Sequence, residues 1–119
     1  SCALGGMVYG MDELIQPWRY CTFYGECFVN TVQSFCFAFN DMITWTDSLV
    51  PILHNDNIIF YFRFVPENVI RKTDNCKFSP TQTNKSSVRV TSKDKHLIFI
   101  FPDKETMLKW VDVFNNCFN

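Results

Sequence analysis

His96-Leu97-Ile98-Phe99-Ile100-Phe101-Pro102-Asp103-Lys104-Glu105-Thr106-Met107-Leu108-Lys109-Trp110 is the stretch where this chain changes its period. As far as Phe101, β-branched and aromatic residues crowd together as a pleated strand requires. Pro102 and Asp103 then supply helix-start chemistry, with Glu105 acidic in the first turn. Met107, Trp110, Val111, Phe114 and Phe118 recur at helical spacing. A helix of about four turns therefore ends the chain, with Trp110 and Phe114 turned toward a sheet. Just upstream, Val88-Arg89-Val90-Thr91 alternates and is joined to His96 through Ser92-Lys93-Asp94-Lys95, so the last two strands form a hairpin.

Further back, the runs are short and rich in aromatic residues. Tyr20 to Val29 reads as a strand, and so does Ser34 to Asn40, where Phe35, Phe37 and Phe39 share one face and the small Cys36 and Ala38 the other. Asn40-Asp41 suits a tight turn into Met42-Ile43-Thr44-Trp45-Thr46, whose Trp45 is a core candidate. Leu49 to Asn57 reads as a loop because it holds Pro51 and the polar run from His54. Ile58 to Val65 is the most continuously apolar run, a strand covered on both faces and broken by Pro66. Asn68 to Thr73 reads as a further short strand, and Asp74 to Ser87, polar and holding Pro80, as an exposed loop. At the front, Met7 to Gln16 carries one helical turn's pattern, stopped by Pro17. The expected architecture is mainly β with one C-terminal α-helix: a seven-stranded bent antiparallel sheet, a partly open barrel, capped by the helix. Residues 1–19 form an N-terminal extension with a short helix, and 20–119 form the domain.

A length of 119 residues holds one hydrophobic core. With 47% apolar and 19% charged residues and a mean hydropathy of −0.04, the composition excludes a disordered chain and a helical membrane span. Thirteen Phe against four Gly favours half-buried pleated surfaces over glycine-lined phosphate loops. The charge is segregated along the chain. Residues 1–62 carry Arg19 alone against six carboxylates, whereas residues 63–95 carry eight basic residues against three acidic ones. Such grouping offers a basic surface for an anionic partner unless the folded sheet interleaves the two halves.

Six cysteines, at 2, 21, 27, 36, 76 and 117, include no C-x-x-C pair, and neither His54 nor His96 stands near paired cysteines, so no metal site is expected. Cys27, Cys36 and Cys117 stand in apolar-periodic stretches, so all six are expected as thiols. No nucleophile elbow, P-loop, dinucleotide fingerprint or zinc-protease motif is present. The chain is therefore expected to be non-enzymatic, without cofactor. Basic and aromatic residues interleave only at Tyr61 to Arg63, which argues against nucleic acid as a partner. The chain opens on Ser1 and reads as an excised domain, with targeting signals expected outside it.

Seven strands followed by one amphipathic helix resemble the pleckstrin-homology (PH) superfold. Ser87 to Phe101 resembles its last hairpin, and Asp103 to Trp110 resembles the opening of its terminal helix, with Trp110 at the place of that helix's most recurrent residue. Gly25-Glu26-Cys27-Phe28-Val29 and Met42-Ile43-Thr44-Trp45 are similar to its first and third strands. The chain looks like a divergent member, of the acylated, membrane-associated kind found in parasitic protists. In lipid-binding members the head-group site lies at the loop joining the first two strands, with a Lys followed at a distance by a Lys/Arg-x-Arg group. Here no basic residue stands between Arg19 and Arg63, so the resemblance implies a degenerate phosphoinositide pocket. Two functions follow. One is a protein-docking scaffold, intracellular, at the cytoplasmic face of a membrane. The other is a peripheral membrane-targeting domain that meets anionic phospholipid through the basic segment 63–95. The residues expected to bind lipid or partner are Arg71, Lys72, Lys85, Arg89, Lys93 and Lys95.

Overall fold

The computed structural model describes residues 14–15, 21–54, 57–63, 65–81 and 86–118, with the backbone alone at 14–15, 50–54 and 57–63. In chain order the elements are β1 (Leu14–Ile15), β2 (Phe23–Val29), β3 (Val32–Ala38), β4 (Met42–Thr46), β5 (Val50–His54), β6 (Asn57–Arg63), β7 (Val69–Arg71), β8 (Lys77–Pro80), β9 (Ser87–Thr91), β10 (His96–Ile100) and α1 (Lys104–Phe118). Seven strands form one antiparallel sheet in the order β7-β4-β3-β2-β10-β9-β8, followed by α1. The expected fold class therefore holds, but one of its seven strands is not the one the sequence suggested.

The apolar run at Ile58 to Val65 is not in that sheet. Its strand, β6, is the centre of a separate three-stranded sheet, β1-β6-β5. The loop expected at Leu49 to Asn57 is instead the edge strand β5, with Pro51 opposite Phe60. Proline removes one donor from a ladder, which an edge strand tolerates because one of its sides is free. Leu14 and Ile15, expected within a helical turn, pair as a strand with Phe62 and Arg63; the rest of Met7 to Gln16 lies outside the described residues. The missing seventh strand is β8, inside the stretch expected to be an exposed loop. As an edge strand it turns only Phe78 inward, onto Phe114, so it shows no apolar run.

Asp103 begins α1 as expected: its Oδ1 accepts the Thr106 N–H at 2.7 Å and its carbonyl accepts the Met107 N–H at 3.0 Å. Hydrogen bonds from the Thr106 backbone and side chain hold the Asp103 carboxyl below its ordinary value. The helix then lays Met107, Trp110, Phe114 and Cys117 onto the concave face of the sheet. Trp110, 1% exposed, stacks on Phe101 at 5.7 Å and meets the edge of Phe23 at 5.0 Å. Phe114 carries the aromatic chain on to Phe99 at 5.7 Å, and Phe99 meets Trp45 edge-on at 5.5 Å. A second buried cluster, Phe37, Phe39, Met42 and Val69, lies on the opposite face of β3, β4 and β7. Phe35, Phe37 and the following Phe39 thus face away from the helix, and the small Cys36 and Ala38 face toward it.

One cysteine expectation is overturned. Cys27 and Cys36 form a disulfide. Gly25 stands opposite Cys36 and Cys27 opposite Ser34, so the two cysteines are diagonal neighbours on one face of the β2–β3 pair, with Cα atoms 6.6 Å apart. Nine residues of separation do not reveal this until the hairpin register is known. Cys21, Cys76 and Cys117 are thiols. Burial, followed by the Asp41 carboxylate, pushes Cys117 up to about 11, and its Sγ donates to the Phe39 carbonyl at 3.2 Å. Burial also raises Cys21 and Cys76. Alkylation in denaturant without reductant, followed by peptide mapping, should label Cys21, Cys76 and Cys117 and leave Cys27 and Cys36 unlabelled until reductant is added. Labelling of Cys27 without reductant would contradict the pairing.

Candidate functional site

The helix covers one end of the bent sheet, and the other end is framed by turns. There β2 passes into β3 through only two residues, Asn30 and Thr31, both left-handed, with φ of 48° and 72°. Such a turn matches the twist of a hairpin and leaves no loop to project. Asn30 is clamped to β10: its N–H donates to the Ile98 carbonyl at 2.9 Å and its Oδ1 accepts the Ile98 N–H at 2.9 Å. Beside this turn opens a cleft of about 300 Å³ that exposes a little of Trp45. Among the described residues its charged lining is Asp47 and Glu67, with no Lys or Arg. A phosphate placed there meets carboxylates instead of cations.

The residues expected to bind lipid or partner do not gather into one surface. Arg71 and Lys72 flank the Asn40–Asp41 turn, where the Lys72 N–H donates to the Asp41 carbonyl at 3.0 Å, the length of β3 away from Asn30. Arg89 is exposed in the middle of β9, opposite Ser79 and Ile98. Lys93 is exposed in the β9–β10 turn. Lys85 lies outside the described residues.

Lys95 is engaged within the fold. Its Nζ donates to the Val69 carbonyl and lies 3.9 Å from Asp74, whose Oδ2 accepts the Arg71 N–H at 2.9 Å. Since β7 and β8 are the two edges of the sheet, Lys95 reaches from the β9–β10 turn across the seam between them. Trp45, Trp110 and Phe114 lie in the buried cluster beneath the helix. Among the described residues, no group of His, Cys, Asp or Glu is arranged to hold a metal ion.

A seven-stranded sheet of this order, its two edges approaching and one end covered by a C-terminal helix, has close counterparts among solved structures. One is the linker-DH/PH structure of p115-RhoGEF, with a TM-score of 0.57 at 8% identity over 82% of this chain. The fold is PH-like. Another counterpart is the DH/PH structure of PDZ-RhoGEF in complex with GTPγS-activated RhoA, with a TM-score of 0.56 at 11% identity over 88% of this chain. The chain spans only 28% and 29% of the lengths of those two solved chains. No family model matches the sequence, and no curated protein does. Such low identity marks a divergent PH-like chain, whose last hairpin before the helix is β9–β10.

Sequence reasoning located the absence of cations but not its cause. The decisive features are the two-residue turn and the carboxylate pair Asp47 and Glu67, which stand 20 residues apart in the sequence and meet only at the end of the barrel. Asn30-Thr31 between Val29 and Val32 was a legible turn signal, whereas the meeting of Asp47 with Glu67 was not.

Proposed function

We propose that this chain is a non-enzymatic protein-docking module of PH-like fold that has given up phosphoinositide recognition and works at a membrane. The observation that carries the reading is the open end of the barrel: a two-residue turn where a head-group loop would project, and an acidic rim in place of cations. The PH-containing PDZ-RhoGEF structure is a complex with a protein, activated RhoA, which is the class of partner this reading assigns here.

A second reading, a membrane-targeting domain, draws on Lys77, Arg89 and Lys93, all exposed on the β8–β9–β10 half of the sheet. The two readings separate by experiment. Calorimetry with soluble inositol phosphates should register no binding under either, and a submicromolar, stereospecific complex would overturn both. Sedimentation with phosphatidylcholine vesicles, with and without phosphatidylserine, decides between them. The docking reading expects the domain in the supernatant with both vesicles. Pelleting with phosphatidylserine alone, abolished by salt as screening shortens to about 8 Å near 0.15 M, would instead assign the membrane role to Arg89 and Lys93.

A further inference from the structure

We infer that the edge of β2 at Tyr24 and Glu26 is a strand-addition site for an extended, basic segment of a partner protein, an inference that deepens the docking reading and rests on it. In β2 the odd-numbered residues from Phe23 to Val29 bond to β3, as the Val29–Val32 pair that closes the two-residue turn requires. The even-numbered residues turn their N–H and C=O groups toward β10, as the Asn30 N–H to Ile98 bond shows. Pairing with β10 covers only Phe28, opposite Ile100, and Val29, opposite Phe99. Carried two residues further, that register sets Pro102 opposite Glu26. Proline has no N–H to offer, and Lys104 beyond it already belongs to α1, so the ladder stops. Among the described residues, nothing pairs with the outward backbone groups of Tyr24 and Glu26.

The two strands splay apart where the ladder stops, leaving a cleft of about 480 Å³ floored by Phe28, Ile100, Phe101 and Pro102 and edged by Glu26. Phe28 in the cleft and Tyr24, two residues before Glu26 along β2, are 43% and 55% exposed. Unpaired donors and acceptors spaced along a strand, two residues or about 6.8 Å apart, are matched in full only by another extended backbone. Charge narrows the occupant. Among the described residues no Lys or Arg lines the cleft, Glu26 is exposed on its rim, and Asp103, Lys104 and Glu105 follow Pro102, so carboxylates outnumber ammonium groups there three to one. A segment carrying Lys or Arg beside apolar residues is therefore complementary, while a second copy of this edge would set Glu26 against Glu26.

The test is nuclear magnetic resonance titration of the ¹⁵N-labelled domain with the capped peptide Lys-Val-Lys-Val-Lys-Val. The Tyr24 and Glu26 amides should shift and gain protection from hydrogen exchange. The Trp110 indole N–H should shift with them, because Nε1 lies 3.7 Å from where a Cβ on Gly25 would stand. Methylating every peptide amide should weaken binding by more than about tenfold, since it removes the ladder and keeps the side chains. Glu26→Pro, which deletes a donor β3 does not use, should weaken it similarly with the melting temperature kept, while Glu26→Gln should cost only about threefold. Retained affinity of the methylated peptide, or shifts confined to β7 or β8, would overturn the strand-addition site. So would the absence of any shift at millimolar peptide. The docking reading itself is decided by the inositol-phosphate and vesicle results, which this titration does not touch.

Discussion

Trp110→Ala should lower stability by about 3–5 kcal/mol, the cost of truncating a fully buried tryptophan, and lower the melting temperature by roughly 10–20 °C. The indole stacks on Phe101, meets the edge of Phe23 and tilts against Phe114, so its removal exposes three other rings to a void that strands on one side and a helix on the other hold open. The indole nitrogen is buried beside Gly25 without a hydrogen-bond partner. Trp110→Phe removes that unpaired donor while keeping a ring against Phe101, so it should cost only about 1–2 kcal/mol. Urea unfolding followed by circular dichroism measures both. Equal losses for the two variants would mean that the indole nitrogen contributes a bond the structure does not contain, and an unchanged midpoint for Trp110→Ala would mean that the core lies elsewhere.

The second large effect separates two lysines of one turn. Lys95→Glu should cost about 3 kcal/mol, because an ammonium that donates to the Val69 carbonyl is replaced by a carboxylate facing that carbonyl and Asp74. The ion pair with Asp74 is a minor part of this, since at 3.9 Å both side chains keep about a third of their exposure, 27% and 32%. Lys93→Glu, on the exposed tip of the same turn, should stay within about 0.5 kcal/mol. The Cys76 thiol, half-buried beside Asp74, Ser92 and Lys95, gives an independent readout. Its alkylation in the folded protein should speed up in Lys95→Glu as the seam opens, and remain slow in Lys93→Glu. If both substitutions cost alike, Lys95 does not fasten the seam.

These two residues also mark how far the sequence could be read. Trp110 was legible as core because its helix neighbours, three and four residues apart, must share a face whatever that face covers. Lys95 was not, since a lysine in a polar hairpin turn looks solvated until the other edge of the sheet arrives beside it. The same limit misplaced two strands. Ile58 to Val65 has the richest apolar run and β8 nearly the poorest, yet β8 joins the main sheet because its backbone, not its side chains, completes the β9 ladder. In the candidate site, the lack of cations between Arg19 and Arg63 could be counted, but the carboxylates replacing them could not be found by counting.

By itself the sequence determined what depends on neighbours along the chain: the strand and helix periods, the Asp103 cap, the Asn40–Asp41 turn, the apolar stripe of α1, and so a mainly β domain closed by a helix. It also set Phe35, Phe37 and Phe39 on one face and Cys36 and Ala38 on the other. Tertiary structure alone decided which of those faces received the helix, that Cys27 and Cys36 lie diagonally across a hairpin, that Lys95 spans the seam, and that Pro102 comes opposite Glu26. Each of these depends on register and on the closing of the sheet, in which residues tens of positions apart become neighbours. Side-chain periodicity repeats every two residues along a strand, so it is satisfied by many registers, and only the packed sheet selects one.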